Sequence, residues 1–203
     1  LIETPAGLKT IIHSLKKEPV IAVDLEADSM YHFQEKVCLL QLAFGDRNVV
    51  IDPLQIPDLA PLKPVFASTR VQKVFHGADY DVRSLYRDFK IEINNLFDTE
   101  LACRFLGIAE TGLEAVLNSR FNVKLNKKFQ RKDWSQRPLP EEMINYAAGD
   151  VKYLLSLARM LEKELAEINR LSWVREECEF LSNVRPVQND HEPLFVNFKG
   201  AGR

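Results

Sequence analysis

Apolar positions along the chain follow two periods. Over residues 5–17 they fall at Leu8, Ile11, Ile12 and Leu15, one side of a 3.6-residue turn, and predict an amphipathic helix. Val20 to Leu25 is a β-branched, apolar run that predicts a buried strand. "VCLLQLAF" (37–44) and "RNVVIDP" (47–53) predict two more strands, joined as a hairpin by the turn signal "GDRN". A short helix over 58–67 and a fourth strand, "VQKVFH" (71–76), follow. The next segment, "GADYDVRSLYRDF", is helical, with Val82, Leu85, Tyr86 and Phe89 on one side. Asp98 or Thr99 caps the predicted helix "TELACRFLG", which stops at Gly107, and "GLEAVLNSRF" is another short helix. "PEEMINYAAGDVKYLLSLARMLEKELAEI" predicts one long helix, with Pro140 at or near its first position and Glu141 and Glu142 in its first turn. A last helix, "WVREECEFL", ends around Ser182. Strands first, then helices alternating with one strand, imply an α/β domain over 1–182: a mixed sheet flanked by helices. From Asn183 the composition turns proline-containing and polar, so 183–203 is expected to be an extended tail or linker.

The bulk numbers change this picture little. The 203 residues suffice for one sizeable domain, and 46% apolar with 28% charged is ordinary for a globular protein. A formal net charge of −2 does not advertise a nucleic-acid binder, although local clustering can override the sum. Cys38, Cys103 and Cys178 are scattered and odd in number, which argues against a disulfide framework or a zinc finger and for buried thiols in a cytoplasmic protein. No apolar run approaches the roughly 20 residues of a membrane span. No signal-peptide pattern opens the chain, and it starts at Leu1 rather than Met, as a piece of a longer protein would.

The carboxylates carry the chemistry. Asp24 and Glu26 stand two apart at the end of an apolar strand, so both side chains point the same way. Like charges side by side call for a cation between them, and no basic residue is near in sequence. Asp81 lies in the first turn of a helix that leaves a strand, and Tyr146 and Asp150 stack four apart on one helical face. Taken singly, each has an ordinary explanation: a solvated strand end, a dipole-favoured helix start, a polar patch. Together, oxygen-only ligands suit Mg²⁺ or Mn²⁺ rather than zinc. Four carboxylates can hold two such ions about 4 Å apart, an arrangement that serves in-line attack at phosphorus. Tyr146 would then orient the attacking water. Between Lys124 and Arg137, six basic residues (Lys124, Lys127, Lys128, Arg131, Lys132, Arg137) surround Phe129, Gln130 and Trp134, with Asp133 the single acid. Cations for phosphates interleaved with aromatics for bases suit a single strand.

Five blocks, "VIAVDLEAD", "KVFHGADYDVRSLYRDF", "FDTELACRFLG", "KKFQRKDWSQRPL" and "YAAGDVKYLL", occur in the order and spacing of the ribonuclease D family. The chain resembles this family, the DEDDy branch of the 3′–5′ exonucleases, from Leu1 to about Asn183. The resemblance implies a ribonuclease H-like fold and two divalent metal ions, Mg²⁺ or Mn²⁺. The implied catalytic residues are Asp24, Glu26, Asp81, Tyr146 and Asp150, with the four carboxylates as metal ligands. It also implies release of 5′-nucleotide monophosphates from 3′ ends of single-stranded RNA, as in tRNA processing. The same chemistry on DNA, and a catalytically silent binding module, stay open as alternatives. No protein partner is indicated. In the family "DWSQRPL" lies by the active-site mouth, which makes Lys128, Gln130, Trp134, Gln136 and Arg137 expected substrate contacts. Ala27, Asp28 and Met30, just past the metal-binding strand, are expected near the terminal nucleotide, and His76 and Tyr80, around the second block, are expected to line the cleft and meet the nucleic acid. The segment from Trp173 onward resembles the stretch that leads to a helical HRDC domain in bacterial ribonuclease D-like proteins. The expectation is a chain cut before that domain.

Overall fold

The structure, a computed structural model, describes residues 1–56, 58–125 and 128–186. Its centre is one sheet of β1 (Val20–Ala27), β2 (Val37–Phe44), β3 (Arg47–Ile51), β4 (Gln72–Phe75) and β5 (Leu96–Asp98), in the order β3-β2-β1-β4-β5. β2 lies between β1 and β3 and is antiparallel to both, whereas β4 and β5 run parallel to β1. The mixed sheet expected from the sequence is present, and the β2–β3 hairpin turns at Gly45, whose φ of +51° lies in the left-handed region. Ile2 extends the sheet past β3: its N–H donates to Val50 O and its carbonyl accepts from Asp52 N. This covers an edge that would otherwise be open.

β5 was not foreseen. It has three residues, too few for a period to show, and it forms by parallel pairing with β4, a contact distant in sequence.

Helices cover both faces. α1 (Pro5–Leu15) starts with Thr4 accepting from Gly7 N and Pro5 at its first position, and it buries Leu8, Ile11, Ile12 and Leu15. The segment 58–67 resolves into a 3₁₀ turn, Ala60–Leu62, and α2 (Lys63–Phe66). α3 (Asp79–Phe89), α4 (Thr99–Phe105) and α5 (Leu113–Phe121) follow.

The single long helix expected over 140–168 is three pieces: α6 (Glu141–Asp150), a turn at Val151–Tyr153, and α7 (Leu154–Glu167). Past Gly149, a poor helix former, the backbone tightens, with Lys152 N donating to Gly149 O and Leu154 N to Val151 O. The break lets α6 pack on β2 and β3 while α7 packs on β1 and β4. α8 (Leu171–Ser182) closes the domain. Of the tail expected over 183–203, residues 183–186 have no regular structure and 187–203 lie outside the described residues.

β2 is buried along its whole length. The main core joins the sheet to α1, α3, α4 and α7, and a smaller cluster of Cys38, Leu39, Val50, Phe129, Trp134, Met143 and Ala147 lies under α6. No helix among the described residues is long and apolar enough to cross a membrane.

Candidate active site

The site forms where β1 ends. Asp24 pairs across the sheet with Gln41 and Glu26 with Leu39, but Ala27 pairs with Val37. Cys38 is therefore an extra residue on β2, a bulge beside the two carboxylates. Asp81 comes from the first turn of α3, whose entry is set by a residue the sequence showed only as a cap. The buried Asp98 carboxylate accepts from Gly77 N (3.0 Å), Ala78 N (2.8 Å), Glu100 N (2.7 Å) and Leu101 N (3.3 Å). It thus ties the β4–α3 turn to the start of α4. Gly77 is required there: its φ is +74°, and a Cβ would meet Glu100 Oε2 at 2.8 Å.

α6 supplies the other wall. Tyr146 and Asp150 stand one turn apart and both line the cleft, and Asp150 is the last residue of the helix. A cleft of about 490 Å³ is lined by Asp24, Glu26, Tyr146 and Asp150, with His76 and Gln130 at its sides. Asp81 lies buried behind it.

The electrostatics are those of a site short of positive charge. Burial pushes Asp24 up to about 6, and burial with the Asp24 charge pushes Asp150 up to about 7. Glu26 rises to about 10 through burial and the charges of Asp24, Asp150 and Asp81. Asp81 is raised by burial and by Asp24 and Asp98. Asp150 also faces the negative end of its own helix dipole. Among the described residues no cation pairs with any of the four. Nor, among the described residues, do three acids, histidines or cysteines stand close enough together to hold an ion as they are placed. The donor chemistry fits hard divalent cations: buried carboxylate oxygens with no neutralising cation beside them.

The structure brings Asp24, Glu26, Asp81, Tyr146 and Asp150 together from three elements. The expected substrate contacts divide. Gln130 lines the cleft and is exposed. His76 lines it too. Its Nδ1 is 2.9 Å from Thr99 Oγ1, which spends its own proton on Phe75 O, so Nδ1 is the donor. Burial lowers the His76 pKa, and its Nε2 is buried without a partner. Lys128 is exposed, paired with Glu142 and set over the Phe129 ring, and Gln136 is exposed beside Asp133. Lys127 of the basic loop lies outside the described residues. Ala27, Met30 and Tyr80 are not on the cleft wall: Met30 stands 66% exposed on the β1–β2 loop, and the Tyr80 hydroxyl donates to Glu35. Asp28 is fully buried and accepts from Lys36 N, closing that loop.

Two expectations need correction. Trp134 is 1% exposed and offers no face to a base; its ring packs 6.0 Å from that of Tyr146, with Phe129 edge-on at 5.7 Å. The loop aromatics hold the tyrosine from beneath. Arg137 is occupied as well. It grips the buried Asp52 through Nε (2.6 Å) and Nη2 (2.7 Å), and its other N–H groups reach the carbonyls of Trp134, Gln136 and Cys38. It pins the basic loop to β2 and β3. Neither role could be read from sequence, because both partners are distant in the chain.

Residues 1–166 match the family described as 3′–5′ exonuclease. The chain is 41% identical over 168 residues to protein RRP6-like 3 of Arabidopsis thaliana, covering 82% of this chain and 19% of that protein. It is 32% identical over 198 residues to ribonuclease D of Haemophilus influenzae, covering 96% of this chain and 50% of that one. The chain therefore spans at most half the length of these relatives. Among solved structures, the catalytic core of RRP6 from Trypanosoma brucei (mutant C496S) superposes with a TM-score of 0.88 at 37% identity, covering 91% of this chain and 52% of that one. With the family match over residues 1–166 and these relatives in agreement, the chain belongs to the 3′–5′ exonuclease family, on its ribonuclease D-like side.

Proposed function

We propose that this protein is a metal-dependent 3′–5′ exoribonuclease that releases 5′-nucleotide monophosphates one at a time from single-stranded RNA. The observation that carries this reading is the cleft in which Asp24, Glu26 and Asp150 stand with Tyr146, with the Asp81 charge close behind, and none of the four carboxylates has an ion-pair partner among the described residues. Asp24, Glu26, Asp81 and Asp150 would hold two Mg²⁺ or Mn²⁺ ions. Bound there, the ions supply a nucleophilic water and stabilise the leaving oxygen. The chain's own residues do the rest. Tyr146, beside Asp150 on the cleft wall, holds the attacking water in line with the scissile phosphorus. Burial and three nearby carboxylates raise its pKa above the ordinary value of 10, so it stays a hydrogen-bond donor throughout. Arg131 and Lys132, exposed beside Gln130, meet the phosphates upstream. The names of the relatives, ribonuclease D among them, support RNA over DNA.

The test is 3′-end trimming of a 5′-labelled single-stranded RNA and its DNA counterpart with Mg²⁺, Mn²⁺ or EDTA, beside Asp150→Asn. A metal-dependent ladder that shortens from the 3′ end, is faster on RNA and is absent in the variant is the expected result. Equal or faster trimming of DNA would move the assignment to an exodeoxyribonuclease. Binding that survives EDTA without cleavage would make it a binding module.

A further inference from the structure

Gln41 on β2 is fully buried, and among the described residues neither its amide nitrogen nor its amide oxygen has a hydrogen-bond partner. A buried amide with nothing to bond is destabilising relative to an apolar side chain. Its surroundings make the position odder still. Leu39 and Ala43 lie along the same face of β2, and Val50 is its partner on β3. A leucine would fill this place more stably.

The partner on the other side is Asp24. Residues directly opposite in an antiparallel pair have their Cβ atoms about 5 Å apart on one face of the sheet. Glu26 is the diagonal neighbour on that face. The polar side chains flanking Gln41 within the sheet are thus two of the carboxylates assigned to metal. Among the described residues no side-chain donor bonds to Asp24. A third orphan belongs to the cluster of Leu39 and Val50 that flanks Gln41: among the described residues the buried Trp134 Nε1–H has no acceptor.

We infer that Gln41 is a positioning residue for the metal site: on metal binding its Nε2, unpaired in the metal-free protein, donates to the Asp24 carboxylate oxygen that faces away from the ion, and its Oε1 accepts from the Trp134 N–H. This fixes which oxygen of Asp24 is offered to metal. It also couples that choice to the loop beneath Tyr146, since Trp134 packs against the Tyr146 ring. Hydrogen bonds of this kind to a ligating carboxylate orient it and raise metal affinity 10- to 100-fold. The inference rests on the assignment of Asp24 as a metal ligand.

Gln41→Met, of nearly equal length, tests it, with Gln41→Leu as a second variant. Mn²⁺ binding is measured by titration calorimetry without RNA, and kcat and KM are then measured at saturating and at limiting Mn²⁺. Both variants should keep or raise the thermal midpoint of the metal-free protein while their Kd for Mn²⁺ weakens at least tenfold. At limiting metal kcat should fall with KM for RNA unchanged. In the wild-type protein the Gln41 side-chain amide resonance should shift when Mg²⁺ is added. Unchanged Mn²⁺ affinity in either variant that folds, or an amide resonance indifferent to Mg²⁺, overturns the inference and leaves the exonuclease reading standing. A wild-type protein that binds neither ion overturns both.

Discussion

Tyr146 and Asp150 lie one turn apart on α6 and face the same cleft, so the pair stacked by its four-residue spacing shares one wall. Burial raises the Tyr146 pKa, and the Asp150 charge beside it raises it further. Phe129 and Trp134 hold the ring from below, so the hydroxyl pivots at the cleft wall with little freedom.

Tyr146→Phe should therefore separate chemistry from folding. The ring keeps its aromatic contacts, so the unfolding midpoint should move by no more than about 2 °C, while kcat falls about 100-fold or more. Single-turnover trimming with saturating enzyme reads the chemical step directly. A loss confined to KM would move Tyr146 from orienting water to binding substrate.

The metal-free protein should lose stability as pH rises. Asp24 and Asp150 titrate near 6 and 7 when folded, and Glu26 near 10, all above their ordinary values. From about pH 4 upward the folded chain thus holds more protons than the unfolded one, and linkage makes stability fall as pH passes through the folded pKa values. Thermal scans in EDTA should show a midpoint lower at pH 8 than at pH 5 by on the order of 5 °C. Mg²⁺ or Mn²⁺ should raise the midpoint, and more so at pH 8, because binding then displaces fewer protons. A midpoint independent of metal at pH 8 would remove these carboxylates from metal binding.

Asp24→Asn should exchange stability for activity. It deletes a charge that raises the pKa of Glu26, Asp81 and Asp150. In EDTA at pH 8 the variant should melt at or above the wild-type temperature. With Mg²⁺ the order should reverse, and RNA trimming should vanish. Wild-type trimming rates in this variant would sink the two-ion assignment.

Arg137→Met should behave as a fold variant. It leaves the fully buried Asp52 without its bidentate partner, a change that costs about 3 kcal/mol or more. Urea unfolding should show the loss, whereas KM for RNA, measured where the protein is still folded, should change less than about threefold. A large rise in KM at unchanged stability would return Arg137 to the phosphates.

How much of this was legible varies with range along the chain. The strand ending in Asp24 and Glu26, the helix start at Asp81 and the i, i+4 pair Tyr146 and Asp150 are local patterns, and the five ordered blocks pointed to their joint purpose before any coordinates. β5 was missed because three residues carry no period. The α6–α7 break was missed because the apolar pattern runs on through Val151 and Leu154, both buried, and marks burial without marking the turn between them. Trp134 and Arg137 were misjudged because an aromatic or a guanidinium in a basic loop has the same composition whether it faces solvent, Tyr146 or Asp52.

The sequence by itself thus determined most of the element types, the mixed sheet and the local settings of the five candidate residues, because periodicity, caps and spacing are properties of neighbours in the chain. Tertiary structure alone decided that Asp98 holds the turn before α3, that the loop aromatics support Tyr146, that Arg137 is spent on Asp52, and that Gln41 lies beside Asp24. Each of these is a partnership across the sheet or between elements, set by strand register and by the requirement that buried polar groups find partners. No local pattern records such a choice.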